Sequence, residues 1–365
     1  MIKPKEQIMG ISPYSPGKPI EEVKREYNLT DIIKLASNEN PFGPTPKVKS
    51  VIINELDQLA LYPDGAAFEL REAISQHYNV SPDRLIFGNG SDEIISMICR
   101  AFLKPGDSSV MADITFSEYI TYVTVEGAKA VQVPLAEGAV HDLEAMLAAI
   151  DETTRVVWIC NPNNPTGTYV SEQDLIRFLE RVPENVLVVV DEAYYEYVTA
   201  VDYPQTLKLL DRFPNLIVLR TFSKIYALAA LRVGYGFAHP QIVDWLNRIR
   251  EPFNTNRIGQ KAAVVALKDQ DYIQACYEKN KEGKELYYKR LPELGLSYYP
   301  TEANFIMVDL EQEARPVFED MLRQGVIVRS GDALGMPTCL RITIGTQEQN
   351  ERVLNLLAGL VKGKS

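Results

Sequence analysis

Between about residue 85 and residue 221, short apolar β-type runs alternate with stretches of helical periodicity, and this alternation constrains the fold more than any other feature. LIFG, SSVMAD, AVQVPL, RVVWIC, VLVVV and NLIVLRT read as strands. The intervening segments DEIISMICRAFL, the one from Phe116, DLEAMLAAI, SEQDLIRFLERV and the one after Asp191 read as helices. Such alternation predicts a mostly parallel sheet with helices on both faces. The runs VVWIC and VLVVV carry no polar alternation, as strands buried on both faces should not. After about Pro252 the pattern changes. A long charged helical stretch, QDYIQACYEKNKEGKELYYKRL, leads to SYYP, NFIMVDL, VIVRS and LRITIG, which read as a smaller α+β unit. The expected organisation is an N-terminal arm over 1–34, a large α/β domain over 35–255 and a small domain over 256–365.

Three of the strands run into polar clusters. VVWIC enters NPNNPTG (Asn161–Gly167), VLVVV enters DEAYY (Asp191–Tyr195), and NLIVLR enters TFSK (Thr221–Lys224). Ligands of parallel α/β sheets sit at the carboxyl ends of strands, so the clusters are expected to share one crevice. A lysine ending a buried strand is costly to desolvate; it either reaches water or is occupied by a ligand. Arg232 follows eight residues later, then Gly234 and Gly236. A further segment, GNGSDE (Gly88–Glu93), combines two glycines with a helix start, whose amides favour an anion. By itself it is better explained as a helix start, with Asp92 and Glu93 complementing the helix dipole.

Composition narrows the function classes. With 46% apolar and 24% charged residues the chain matches a folded globular protein, not a disordered one. A formal net charge of −11 argues against a general nucleic-acid surface. Four scattered cysteines without a CxxC pair suit a reducing compartment and no zinc scaffold. Three histidines in unrelated contexts do not suggest a metal site. No apolar run approaches a membrane span and no secretory signal is evident, so a cytoplasmic location is expected.

The set NPNNPTG, DEAY, SK and the arginine eight residues beyond the lysine resembles the fold-type I aminotransferases that use pyridoxal 5'-phosphate (PLP). The resemblance extends over nearly the whole chain and implies that fold, with its large α/β domain and smaller α+β domain. It makes Lys224 the catalytic lysine, linked to the cofactor as a Schiff base. Asp191 would pair with the ring nitrogen and keep it protonated. Asn164 and Tyr194 would hydrogen-bond the ring hydroxyl. Arg232, Ser223 and the backbone at Gly90 and Ser91 would hold the 5'-phosphate, with Thr221 among the cofactor contacts. Phe116 would stack on the ring, although Ile114 stands where the family often has proline.

KLASNENPFGP, LYPDG, FGNGSDE, CNPNNPTG, VVDEAYYEY, RTFSK, ALAALRVGYG, REPFNTN, VRSG and LRITIGT further resemble the histidinol-phosphate aminotransferase subgroup. That resemblance implies amino transfer between L-glutamate and imidazole-acetol phosphate, giving L-histidinol phosphate and 2-oxoglutarate. Arg341 and Arg329 would bind the substrate oxyanion, and Tyr14 and Asn38 would line the substrate pocket. Tyr62 would reach the phosphate site of a neighbouring subunit, which implies a homodimer. An aromatic (tyrosine or phenylalanine) or dual-specificity aminotransferase, a PLP decarboxylase acting on a phosphorylated amino acid, and the ligand-sensing module of a transcription regulator stay open as alternatives.

Overall fold

Apolar, β-branched strand sequences bury both their faces only if something covers each side, and the computed structural model shows how. It describes residues 2–13 and 17–362. The strands in chain order are β1 (Ile33–Lys34), β2 (Leu85–Asn89), β3 (Ser108–Ala112), β4 (Lys129–Val133), β5 (Thr154–Cys160), β6 (Leu187–Asp191), β7 (Leu216–Thr221), β8 (Val233–Ala238), β9 (Ser297–Tyr299), β10 (Phe305–Asp309), β11 (Val326–Ile327), β12 (Arg329–Ser330) and β13 (Cys339–Thr343). Seven of them form the main sheet, in the order β2-β8-β7-β6-β5-β3-β4. All its pairings are parallel except those of β8, which runs antiparallel to both neighbours.

Successive side chains of the central strands go to opposite cores. Val157, Ile159, Val188, Val190, Leu216 and Val218 face one cluster. Val156, Trp158, Leu187, Val189, Ile217 and Leu219 face the other. This is why these runs lack polar alternation.

Two sequence expectations differ from the structure. The segment between β6 and β7 forms no α-helix; it makes 3₁₀ turns at Tyr195–Tyr197 and Thr206–Leu209. Pro204 and Pro214 interrupt it, and proline does not continue a helix interior. Strand β8 was not among the expected strands, because Gly234 and Gly236 thin its apolar pattern.

A second sheet, β12-β13-β10-β9, is antiparallel throughout and builds its own core with Ile306, Val308, Leu340, Ile342, Val353 and Leu354. β1 pairs in parallel with β11, and Ile33 and Leu35 belong to this second core. Helix Arg257–Lys268 instead packs Ala262, Ala263 and Leu267 into the first core. The hand-over between cores falls within the long helix Gln270–Glu293, whose Ile273 and Cys276 face the first and whose Tyr287 and Leu291 face the second. It therefore lies past the expected break at 255/256.

Candidate active site

The parallel register brings the strand ends to one edge. Cys160 is level with Asp191, and Asp191 with Leu219. The chains leaving β5, β6 and β7 therefore place Asn164, Asp191, Tyr194, Thr221, Ser223 and Lys224 around one cavity of about 260 Å³. Gly88 of β2 is level with Gly234 of β8, which is level with Thr221. That brings the start of helix Ser91–Phe102 to the same edge, with Ser91 and Arg232 lining the cavity.

The anion-binding end is built from close backbone approaches. Gly90 has φ +78°, and a Cβ there would lie 2.3 Å from Arg232 Nη2. A Cβ on Gly234 would lie 2.2 Å from the Ser91 amide nitrogen. No side chain caps this 12-residue helix, which leaves its first amides to a ligand. Arg232 Nη1 donates to Ser223 Oγ at 3.3 Å, and Nη2 meets Asp92 Oδ2 at 3.2 Å.

At the other end, Asp191 is 4% exposed. Its Oδ2 accepts from Tyr119 OH at 2.7 Å, while among the described residues its buried Oδ1 has no hydrogen-bond partner. Burial pushes this carboxyl up to about 6. A buried oxygen in this state suits a cationic ring nitrogen. Between the two ends lies the half-buried Lys224, whose Nζ donates to the Ser37 carbonyl at 3.5 Å and sits 5.4 Å from the centre of the Tyr194 ring. Burial, then the charge of Arg341, brings its amine down to about 8. An amine so poised is a nucleophile and a proton carrier near neutral pH.

The second sheet closes the cavity. Asn38, at φ 56°, donates from Nδ2 to Tyr194 OH at 3.0 Å and from its amide to Thr343 Oγ1 at 2.9 Å. Arg341 donates to Asn164 Oδ1 at 2.6 Å and to the Ala36 carbonyl at 2.8 Å. Arg329 faces Arg341 in register across the β12–β13 ladder, and both line the cavity. Phe116 lines it as well. Ile114, where proline was the common expectation, packs against Met307 and Met336, and its carbonyl accepts from Asn163 Nδ2 at 3.0 Å.

Two expected residues stand apart. Tyr62 does not line this cavity; it is 78% exposed and stacked on Phe253 with ring centres 4.6 Å apart. Tyr14 lies outside the described residues. Residues not anticipated include Tyr119, Asp92 and the backbone of Ala36 and Ser37. For Tyr119 the only available signal was its position three residues after Phe116, one helical turn away.

A site with an anion cradle at one end, a buried carboxylate at the other and a neutralisable lysine between them fits a phosphorylated pyridine aldehyde. The family model for aminotransferase class I and II matches residues 30–357. A histidinol-phosphate aminotransferase of Geobacillus sp. (strain WCH70) is 58% identical over 360 residues, covering 99% of this chain and 98% of that protein. The chain belongs to the histidinol-phosphate aminotransferase family. A second member, from Geobacillus thermodenitrificans (strain NG80-2), is 56% identical over 360 residues, covering 99% and 98% of the two chains. The crystal structure of histidinol-phosphate aminotransferase from Sinorhizobium meliloti in complex with pyridoxal-5'-phosphate superposes with a TM-score of 0.92. It has 28% sequence identity and covers 100% of this chain and 99% of that one. In this aminotransferase, as in the family at large, the mostly parallel sheet and its helices form the fold-type I scaffold.

Among the described residues no helix is long and apolar enough to cross a membrane, and no group of three or more His, Cys, Asp or Glu is placed to hold a metal ion. All four cysteines are buried and free.

Proposed function

We propose that this aminotransferase moves an amino group between L-histidinol phosphate and 2-oxoglutarate, giving imidazole-acetol phosphate and L-glutamate, with PLP as its cofactor. The observation that carries this reading is the pair Arg329 and Arg341, in register and lining the same cavity as Lys224 and Asp191. A planar guanidinium pairs with a phosphate or a carboxylate alike, so one site can serve both substrates in turn. A neighbouring cavity of about 420 Å³ shares Phe116, Asn164, Arg329 and Arg341 and is lined by Ile120 and Leu334 together with the polar Asp113, Glu118 and Gln132.

When bound, PLP supplies the carbonyl carbon that takes up the amino group and a ring that accepts electrons from the substrate Cα. The chain's own residues do the rest. The amides at Gly90 and Ser91, with Thr221, Ser223 and Arg232, would hold the phosphate. Asp191 Oδ1 would hold the ring-nitrogen proton, while Asn164 and Tyr194 would contact the ring oxygen. Lys224 would anchor the cofactor and move the proton at the substrate Cα. Asn38, through Tyr194 OH, ties this arrangement to the second sheet.

The homodimer belongs to the same proposal. Leu59, Leu61, Tyr62 and Phe253 are exposed apolar side chains that line one surface hollow. Patches of this kind mark interfaces, and a second copy seated there would carry its Tyr62 towards the neighbour's phosphate site. A cytoplasmic location completes the reading, in keeping with the free thiols.

The test is the donor half-reaction. The PLP-loaded protein is mixed separately with L-histidinol phosphate, glutamate, phenylalanine and tyrosine, and loss of the visible absorbance band is followed. Conversion by histidinol phosphate at low concentration is expected. Comparable conversion by phenylalanine or tyrosine would add an aromatic role, and conversion by the aromatic amino acids alone would overturn the substrate assignment.

A further inference from the structure

Asp191 can serve a cationic ring only if its carboxylate is held with one oxygen facing the cavity. No side chain on its own strand does this, although the backbone amide of Ala193, just past the strand, also faces the carboxyl as a donor. β6 is apolar up to Val190, and the residue after Asp191, Glu192, is engaged elsewhere, with its Oε2 accepting from Arg220 Nε at 2.9 Å and Nη2 at 2.7 Å. Among the described residues the one side-chain hydrogen bond to the carboxylate comes from Tyr119, whose OH donates to Oδ2 at 2.7 Å. Tyr119 is itself held in place. Its ring stacks on Trp158 with centres 4.8 Å apart and planes 14° apart. Trp158 Nε1 donates to Ser109 Oγ at 2.8 Å, and Ser109 Oγ donates to the Val156 carbonyl at 3.0 Å. Tyr119, Trp158 and Ser109 are fully buried. A stack and two hydrogen bonds thus fix the hydroxyl from beneath the sheet.

The same helical turn serves the cavity. Phe116 lines it and meets the Tyr119 ring edge-on at 5.5 Å, and the Tyr119 amide donates to the Phe116 carbonyl at 3.3 Å. A shift of this turn would move the stacking residue and the carboxylate's partner together.

We propose that Tyr119 is a positioning residue that occupies Asp191 Oδ2 and so presents Oδ1, charged, to the ring nitrogen of the cofactor. This rests on the PLP reading and adds to it a residue outside the cavity. The ionisable groups facing Asp191 are Tyr119, Cys160, Tyr194, Asp92 and Glu192. Among the described residues only Tyr119 donates a side-chain hydrogen bond to the carboxylate, and burial and the adjacent carboxylate hold its phenol well above the ordinary range, so it stays a donor.

The test compares two cofactors. Tyr119→Phe removes one oxygen and keeps the stack on Trp158. The variant and the parent protein are stripped of cofactor and titrated with PLP and with 1-deaza-PLP, in which carbon replaces the ring nitrogen. Tyr119→Phe is expected to weaken PLP binding about tenfold, the scale of a hydrogen bond to a charged group, and to leave 1-deaza-PLP binding unchanged. In an Asp191→Ala background, which lacks the carboxylate, it is expected to change neither. Equal weakening of both cofactors, or of neither, would overturn the role of Tyr119 alone. Failure of the parent protein to take up PLP would overturn the cofactor reading and this proposal with it.

Discussion

Lys224 is the residue on which the proposed chemistry turns, and its environment makes two consequences measurable. Lys224→Ala should abolish the visible absorbance of the PLP-loaded protein and nearly all turnover; normal turnover would show that another group does its work. The second concerns stability. The Lys224 amine has an ordinary value of 10.5 and is brought down to about 8 in the fold, chiefly by burial. Between those values the unfolded chain binds one more proton than the folded one, so this group's contribution to stability rises with pH from about 8 to 10.5. Below 8 the buried charge costs at most on the order of 3 kcal/mol. In cofactor-free protein, Lys224→Met should therefore raise the unfolding midpoint at pH 7 and flatten the rise above pH 8, which thermal denaturation across pH would check. Of the cavity's side chains, Asn164, Asp191, Tyr194, Thr221, Ser223 and Lys224 stand in polar clusters at strand ends, whereas Asn38, Phe116, Arg329 and Arg341 were reached only through the family resemblance. Tyr119 was legible by neither route. It is one of 19 tyrosines in the chain, and its partner lies 72 residues away, a proximity that only the packing of helix Glu118–Val125 against the sheet creates.

At the scale of elements, two contacts hold the strand ends in place. The first is the approach of β8 to the helix start after β2. Gly234→Ala would push a methyl into the Ser91 amide and the Gly90 carbonyl carbon, both backbone. Backbone cannot swing aside as a flexible side chain can. Overpacking of this kind costs about 1–3 kcal/mol, and it should also weaken binding of PLP through its phosphate, as read by cofactor titration. The glycines that hid β8 from the sequence pattern are thus the reason it can approach so closely. The second contact is the buried pair Glu192–Arg220, which joins the end of β6 to β7 while Arg220 lies 3.4 Å over the Tyr195 ring. Removing one partner leaves an unpaired buried charge. Glu192→Ala should cost about 3–5 kcal/mol in denaturant unfolding; a loss below 1 kcal/mol would mean that water or a neighbour replaces the carboxylate. The parallel strands were legible because burial on both faces leaves a continuous apolar run. The connection between β6 and β7 was misread: Pro204 and Pro214 weigh against a crossover helix, but the sequence does not show which 3₁₀ turns take its place.

At the scale of the whole molecule, the second sheet and the N-terminal segment complete a cavity that the main sheet only begins. Asn38 and Arg341 reach Tyr194 and Asn164 from the side of the second core, and Tyr62 does not line its own chain's cavity. If a second copy supplies Tyr62, each site draws on two chains, and two separately defective chains should repair each other. A Lys224→Ala chain keeps an intact Tyr62 to lend, and a Tyr62→Ala chain keeps an intact Lys224. In a mixed dimer one site then carries both defects and the other carries neither. Equal mixing with random reassociation makes about half the dimers mixed, each with one whole site, so about a quarter of the wild-type activity should return. The measurement is made at a PLP concentration that leaves the Tyr62 variant alone poorly loaded. No activity beyond the sum of the two separate variants, with exchange of subunits verified by mass, would place Tyr62 outside the neighbour's site and leave the apolar stretch around Phe253 as a contact surface without a part in catalysis.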